Sequence, residues 1–236
     1  MKMSLNRSML LVSGNSPKRL QDAAVFNPGL LVLDLADEVK DEDKDSARLL
    51  VREAIRFLDY EKVKLAVRIN TLKSGFGTKD IEVISRVKPE AFLIPQASVE
   101  QLQDVEIMLA LAEKEGALES GGIKLIPVIE TVKALGGISS ILSVSSRIVG
   151  AFFNADGLAK ELGMTRTQEG DEILYARSKV AIACRAAGLN SFDTVFTESN
   201  DEEGLLKDAR KARNLGFTGK AAINGRQIGI INHVFA

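Results

Sequence analysis

Eight short apolar runs recur along the 236 residues, at 9–14, 30–34, 65–70, 91–96, 124–130, 147–154, 194–198 and 220–224. Most stop at a polar or charged residue: Asp34, Asn70, Gln96, Glu130, Asn154, Asn224. Near-continuous Val/Ile/Leu runs of this length read as parallel strands covered on both faces. The stretches between them carry a helical period. Ser16-Pro17 combines an N-cap residue with proline at the first helical position, opening a helix to about Ala24. Over residues 41–59, charges alternate with Ala47, Leu50, Ala54, Ile55 and Leu58, an amphipathic pattern. Further helices are expected over 78–87, 98–115, 132–143, 171–187, 201–215 and 225–234. Eight strand–helix units of about 30 residues each predict a closed (β/α)8 TIM barrel, a single α/β domain over residues 1–236. The looser segments, 117–122 and 163–170, have ordinary loop length.

Composition narrows the function. The 31 basic and 32 acidic residues form no basic block, which argues against nucleic acid and for a small-molecule partner. The first 14 residues hold an apolar run of four, Met9 to Val12, too short for a secretory leader or a membrane span. A cytoplasmic location is expected. The single cysteine, Cys184, has no partner for an internal disulfide, which fits a reducing compartment.

In such a barrel the active site lies at the C-terminal strand ends, so the residues that stop the runs are the candidates. One histidine, His233, near the end of the last helix, argues against a Ser-His-Asp triad and against His/Cys zinc sites. Lys64, Lys124 and Lys220 each open a run at the opposite face, where they are expected to reach solvent rather than form a Schiff base. Carboxylate, arginine and amide chemistry remains, a set that suits Mg²⁺ or Mn²⁺. Glu130 ends the fifth run, as a metal carboxylate or as an acid favoured by a helix N-terminus. Arg68 interrupts the third run; it reads as a clamp for a substrate carboxylate or as an ion-pair partner of Asp34 or Asp37. The first loop, Ser13 to Arg19, sets Lys18 and Arg19 at a helix start, where phosphate or a capped surface helix are equally good readings.

Several segments together resemble the citrate lyase β-subunit family of the HpcH/HpaI aldolase superfamily. They are Arg7-Ser-Met-Leu-Leu-Val-Ser-Gly14, Ser16-Pro-Lys-Arg19, Leu33-Asp-Leu-Ala-Asp-Glu-Val39, Val67-Arg-Ile-Asn70, Ile129-Glu-Thr131, Leu174-Tyr-Ala-Arg-Ser178 and Gly216-Phe-Thr-Gly-Lys220. The resemblance implies a Mg²⁺-dependent barrel, commonly trimeric, that cleaves or forms a carbon–carbon bond in citryl- or malyl-type thioesters, in some cases beside other subunits of a lyase complex. It makes Arg68 the substrate arginine, Glu130 the first metal carboxylate, and Asp34 and Asp37 its supporting acids. Lys18 and Arg19 would contact coenzyme A, and Asn70 and Asn224 would stand at the substrate. Four strand ends depart from the family pattern. Ala36 replaces a glutamate, Gln96 a lysine, and Asn224-Gly225 a His-Pro pair. At the second metal ligand Gly157 replaces an aspartate, leaving Asp156 to serve from one position earlier. The chain also ends soon after the eighth run, so the resemblance implies no C-terminal lid, closure falling to a neighbouring subunit or a loop. Besides a lyase, a thioesterase on the same site or a non-catalytic binding subunit that kept the barrel fits these residues.

Overall fold

The computed structural model describes residues 7–116 and 119–236. Expectations for residues 1–6 and for 117–118 lie outside them. Eight parallel strands form a closed barrel: β1 (Arg7–Ser13), β2 (Leu30–Asp34), β3 (Leu65–Arg68), β4 (Ala91–Ile94), β5 (Lys124–Ile129), β6 (Gly150–Phe153), β7 (Asn190–Asp193) and β8 (Gly219–Ala222). Each pairs with its sequence neighbour, and β8 closes on β1 with Met9 opposite Ala221. Around them run α1 (Pro17–Asp22), α2 (Lys44–Phe57), α3 (Phe76–Ile84), α4 (Val99–Glu115), α5 (Val132–Gly136), α6 (Ile138–Ser143), α7 (Ala155–Leu162), α8 (Leu174–Ala186), α9 (Glu202–Leu215) and α10 (Arg226–Val234).

Strand alternation sorts the apolar residues into two layers. Met9, Leu30, Val32, Ala66, Leu93, Ile126, Val128 and Phe192 fill the barrel interior. Their neighbours Leu10, Leu31, Leu33, Val67, Phe92 and Ile129 face the helices and form the larger outer core. Continuing the inner register by two residues brings Asp34, Arg68 and Glu130 to the rim.

The structure corrects four expectations. The 132–143 segment forms two short helices that meet at Gly137. A further helix, α7, follows β6 at once, with Asn154 as its N-cap. Strand β7 lies four residues before the expected run, and Lys220 is fully buried, not a solvent anchor. One cause explains both: Asp193 and Lys220 belong to an ionic cluster under α8 and α9. Arg177 Nη2 and Lys220 Nζ lie 2.7 and 2.8 Å from Asp193 Oδ2, and Asp208 Oδ2 lies 2.6 Å from Lys220 Nζ. His233 is exposed on α10, in keeping with a surface role.

Candidate active site

At the C-terminal rim the structure opens a cavity of about 810 Å³, lined by residues that end β1, β2, β3, β5, β6 and β8 and by the start of α7. Arg68 stands at its centre, its side chain 4% exposed. Its guanidinium meets three carboxylates: Asp34 at 3.3 Å, Asp37 at 2.6 Å and Glu130 at 3.2 Å. Both readings made of Arg68 from the sequence are therefore compatible, since it pairs with Asp34 and Asp37 and still lines the cavity. Its buried Nε–H finds no acceptor. A buried donor without a partner is costly, on the order of 1–3 kcal/mol, so the position of the Arg68 side chain is not set by its own hydrogen bonding alone.

Glu130 is held on every side. Oε1 accepts the Gln96 backbone N–H at 2.7 Å, and Oε2 accepts from Asn154 Nδ2 at 2.6 Å and from Arg68. The dipole reading of Glu130 gives way, because Thr131 caps α5 by accepting the Ala134 N–H. Gln96 aims its N–H from a left-handed backbone, φ +47°, an uncommon conformation for a residue with a side chain. Gly157 packs against the same carboxylate: a Cβ there would lie 2.8 Å from Glu130 Cβ.

Burial raises the pKa of Asp34, with Arg68 and the Ala36 N–H opposing. Burial would lower that of Arg68, but Asp34, Glu130 and Asp37 outweigh it and the pKa rises. Behind this pair, Lys44 donates to the carbonyls of Leu35 and Ala36 at 2.9 and 2.5 Å and fixes the turn that carries Asp34 and Asp37.

The remaining candidates divide. Asp156 lines the cavity but pairs with Arg166 at 2.9 Å, half exposed. Arg19 bridges the strand ends, meeting Glu38 at 3.3 Å and the Ile223 carbonyl, while Lys18 is exposed outside the cavity. Two expectations are corrected. Asn70 does not line the cavity: its amide donates to Leu35 O and Asp80 Oδ2, so it braces the β2 and β3 ends from behind. Asn224 likewise turns away, its Oδ1 accepting the Arg226 and Gln227 N–H groups at the start of α10. Sequence reading assigned no role to Lys44, Lys160 or Asn154. Only Asn154 gave a signal, as the residue that stops the sixth run.

Among the described residues no group of three or more His, Cys, Asp or Glu is placed to hold a metal ion. The cavity nonetheless fits a hard divalent cation by kind and by charge. Its donors are oxygens, and six carboxylate side chains line it against two cations, Arg68 and Lys160. Such ions keep several waters and need one or two protein carboxylates. Glu130 would exchange an N–H contact for the ion.

A closed parallel barrel with an arginine–carboxylate centre at its C-terminal rim defines an enzyme scaffold of the (β/α)8 class. The family model for HpcH/HpaI aldolase/citrate lyase matches residues 7–225. The chain belongs to that family, and with it to the carbon–carbon lyases. It is 36% identical to the citrate lyase subunit beta of Haemophilus influenzae, over 99% of this chain and 81% of that one. Identity to the mitochondrial citramalyl-CoA lyase of Rattus norvegicus is 31%, over 97% and 71%. The citrate lyase beta subunit of M. tuberculosis, solved with oxaloacetate and magnesium, superposes with a TM-score of 0.83 at 25% identity, covering 100% of this chain and 99% of that one. Among the described residues no helix is long and apolar enough to cross a membrane.

Proposed function

We propose that this protein is a cytoplasmic, homo-oligomeric, Mg²⁺-assisted lyase that cleaves the C2–C3 bond of a 3-carboxy-3-hydroxypropanoyl thioester of coenzyme A, the citryl and malyl type. The observation that carries the reading is Arg68, a single cation buried among three carboxylates and lining the rim cavity. Arg68 holds the substrate carboxylate and stabilises the oxygen that becomes a carbonyl. Asp34 and the Ala36 N–H keep the guanidinium in place. Asp37, the exposed acid against Arg68, takes the hydroxyl proton as the C2–C3 bond breaks; C2 leaves as the thioester enolate and receives that proton back from Asp37, directly or through water, to give the acetyl thioester and the keto acid. Glu130, helped by Asp156, would hold Mg²⁺, which supplies Lewis-acid stabilisation of the developing negative charge. Lys18 and Arg19 stand beside the rim for the phosphates of coenzyme A.

Incubation with malyl-, citramalyl- and citryl-CoA followed by mass spectrometry tests the reaction. A keto acid with acetyl-CoA supports the lyase; the intact hydroxy acid with free CoA replaces it by a thioesterase. Glu130→Gln should abolish divalent-metal binding and turnover together, and an unchanged metal titration would overturn that role. A non-catalytic subunit is the second reading, favoured by Glu130's committed oxygens and by Gly157 at the family's ligand position. Calorimetry with Mg²⁺ plus oxaloacetate or pyruvate separates the two: metal-dependent binding supports the enzyme, its absence the subunit.

A further inference from the structure

The rim cavity has two unlike walls. From β2 to β5 it is charged, with Asp34, Asp37, Glu38, Arg68 and Glu130, and the charge continues onto α7 with Asp156, Lys160 and Glu161. The rest, around β7, β8 and β1, is aliphatic, with Val195 just past β7, Ala222 and Ile223 at the end of β8 and Leu11 on β1, and the Phe152 ring of β6 borders it. Phe152 and Ala222 are buried, whereas Leu11, Val195 and Ile223 each keep part of their surface open. In an eight-stranded closed ring β5 stands opposite β1, so the apolar wall faces Glu130 across the opening.

Resting on the lyase reading, we propose that the aliphatic wall selects the substituent on C3 of the substrate, favouring methyl or another small alkyl group over carboxymethyl. Arg68 is the cation on the charged β2 to β5 wall for the carboxylate common to all such substrates. A second carboxylate would need a second cation. Among the described residues the cavity offers Lys160, on α7, and none on the β7, β8 and β1 side. Arg19 approaches that side from outside, but it is committed to Glu38 and the Ile223 carbonyl. A cation held at Glu130 belongs to the charged wall and leaves the aliphatic one uncompensated. A carboxylate pressed against that wall would lose water without gaining a partner, whereas a methyl group would displace water at no polar cost.

The test compares kcat/KM for the 3-methyl and 3-carboxymethyl thioesters, citramalyl- and citryl-CoA, at fixed Mg²⁺ and ionic strength. The 3-methyl substrate should lead by about tenfold or more, the scale on which hydrophobic pockets discriminate. Ile223→Arg should cut that ratio at least tenfold by placing a cation on the wall. The wild-type comparison stands even if that variant does not fold. Equal rates, or a lead for the 3-carboxymethyl substrate, would overturn the assignment while leaving the lyase intact. Cleavage of malyl-CoA but of neither substituted thioester would overturn this assignment and leave the lyase, whereas cleavage of none of the three would remove the lyase reading itself.

Discussion

Two ionic clusters sit on this barrel, each built around a buried arginine. Beneath α8 and α9, Arg177 and Lys220 face Asp193 and Asp208, two charges against two. Every acid oxygen there is engaged, and Lys220 spends its third donor on the Thr194 carbonyl. At the rim, Arg68 faces Asp34, Asp37 and Glu130, one charge against three, and its Nε–H has no acceptor. Buried ionic groups that exist for the scaffold tend toward mutual satisfaction, because any leftover charge or donor costs stability. The first cluster meets that requirement. The second leaves a surplus of negative charge at the edge of a cavity and a buried donor without an acceptor.

The largest effect should come from the balanced cluster. Asp193→Asn removes one charge and leaves the buried Arg177 and Lys220 facing Asp208 alone. Breaking such a network costs about 3–5 kcal/mol. Chemical denaturation should register this as a lower midpoint with an unchanged slope. The same acid-to-amide change at the rim should behave differently. Glu130→Gln loses a charge from a set already too negative, so stability should stay within about 1–2 kcal/mol of wild type. Turnover should fall at least about 100-fold, as expected when a group that stabilises transition-state charge is removed. Equal destabilisation by the two variants would erase the distinction between the clusters.

Titration should separate the clusters by sign. Burial raises the pKa of Asp34, so the folded protein binds that proton more tightly than the unfolded chain, and stability falls as pH rises through the folded value. Asp208 is the reverse case. Burial would raise it, but Lys220 and Arg177 outweigh burial and hold it below its ordinary value. Its contribution is therefore present above about pH 3.9 and lost as pH falls through the folded value. Stability of wild type, Asp34→Asn and Asp208→Asn measured across the acid range should give difference curves of opposite slope. Curves of the same slope would show that charge balance does not distinguish them.

These clusters also mark where the sequence was legible. At the rim, Asp34 and Glu130 end apolar runs and Arg68 interrupts one, so all three stood out against Leu and Val. The balanced cluster had no such contrast: Asp193 closes Asn-Ser-Phe-Asp, a strand too polar to stand out, and Lys220 opens its run as a surface lysine would. Their pairing is set by Arg177 on α8 and Asp208 on α9, the helices either side of β7, more than ten residues away and so beyond a strand's own pattern. Asn70 and Asn224 mislead for a related reason. They stop their runs as the site residues do, but their amides turn to backbone groups behind the rim. Strand-end position identifies a candidate, and the direction of its side chain decides whether it meets the cavity.

Gly157 is a milder probe of the rim. Alanine there would gain about 1 kcal/mol of helix propensity, while its Cβ would press on Glu130 at 2.8 Å, an overpacking cost of about 1–3 kcal/mol. Gly157→Ala should therefore lose about 0–2 kcal/mol in thermal unfolding. Because the strain falls on Glu130, metal titration should weaken more than stability does. A clear gain in stability with unaltered metal binding would show that Glu130 yields freely and that its three contacts are not restrictive.

The smallest effect belongs to Arg19, which joins the first loop to the far side of the rim. Its contact with Glu38 is 3.3 Å long and about half exposed on both partners, and such pairs contribute about 0–1 kcal/mol. Arg19→Ala should leave the unfolding midpoint nearly unchanged, and raising salt should remove what difference remains. If the first loop serves coenzyme A, KM for the thioester should rise about tenfold with kcat retained, while calorimetric binding of the free keto acid stays at its wild-type value. Equal weakening of both ligands would place Arg19 with the Arg68 cluster instead, extending the charged wall across the opening of the barrel.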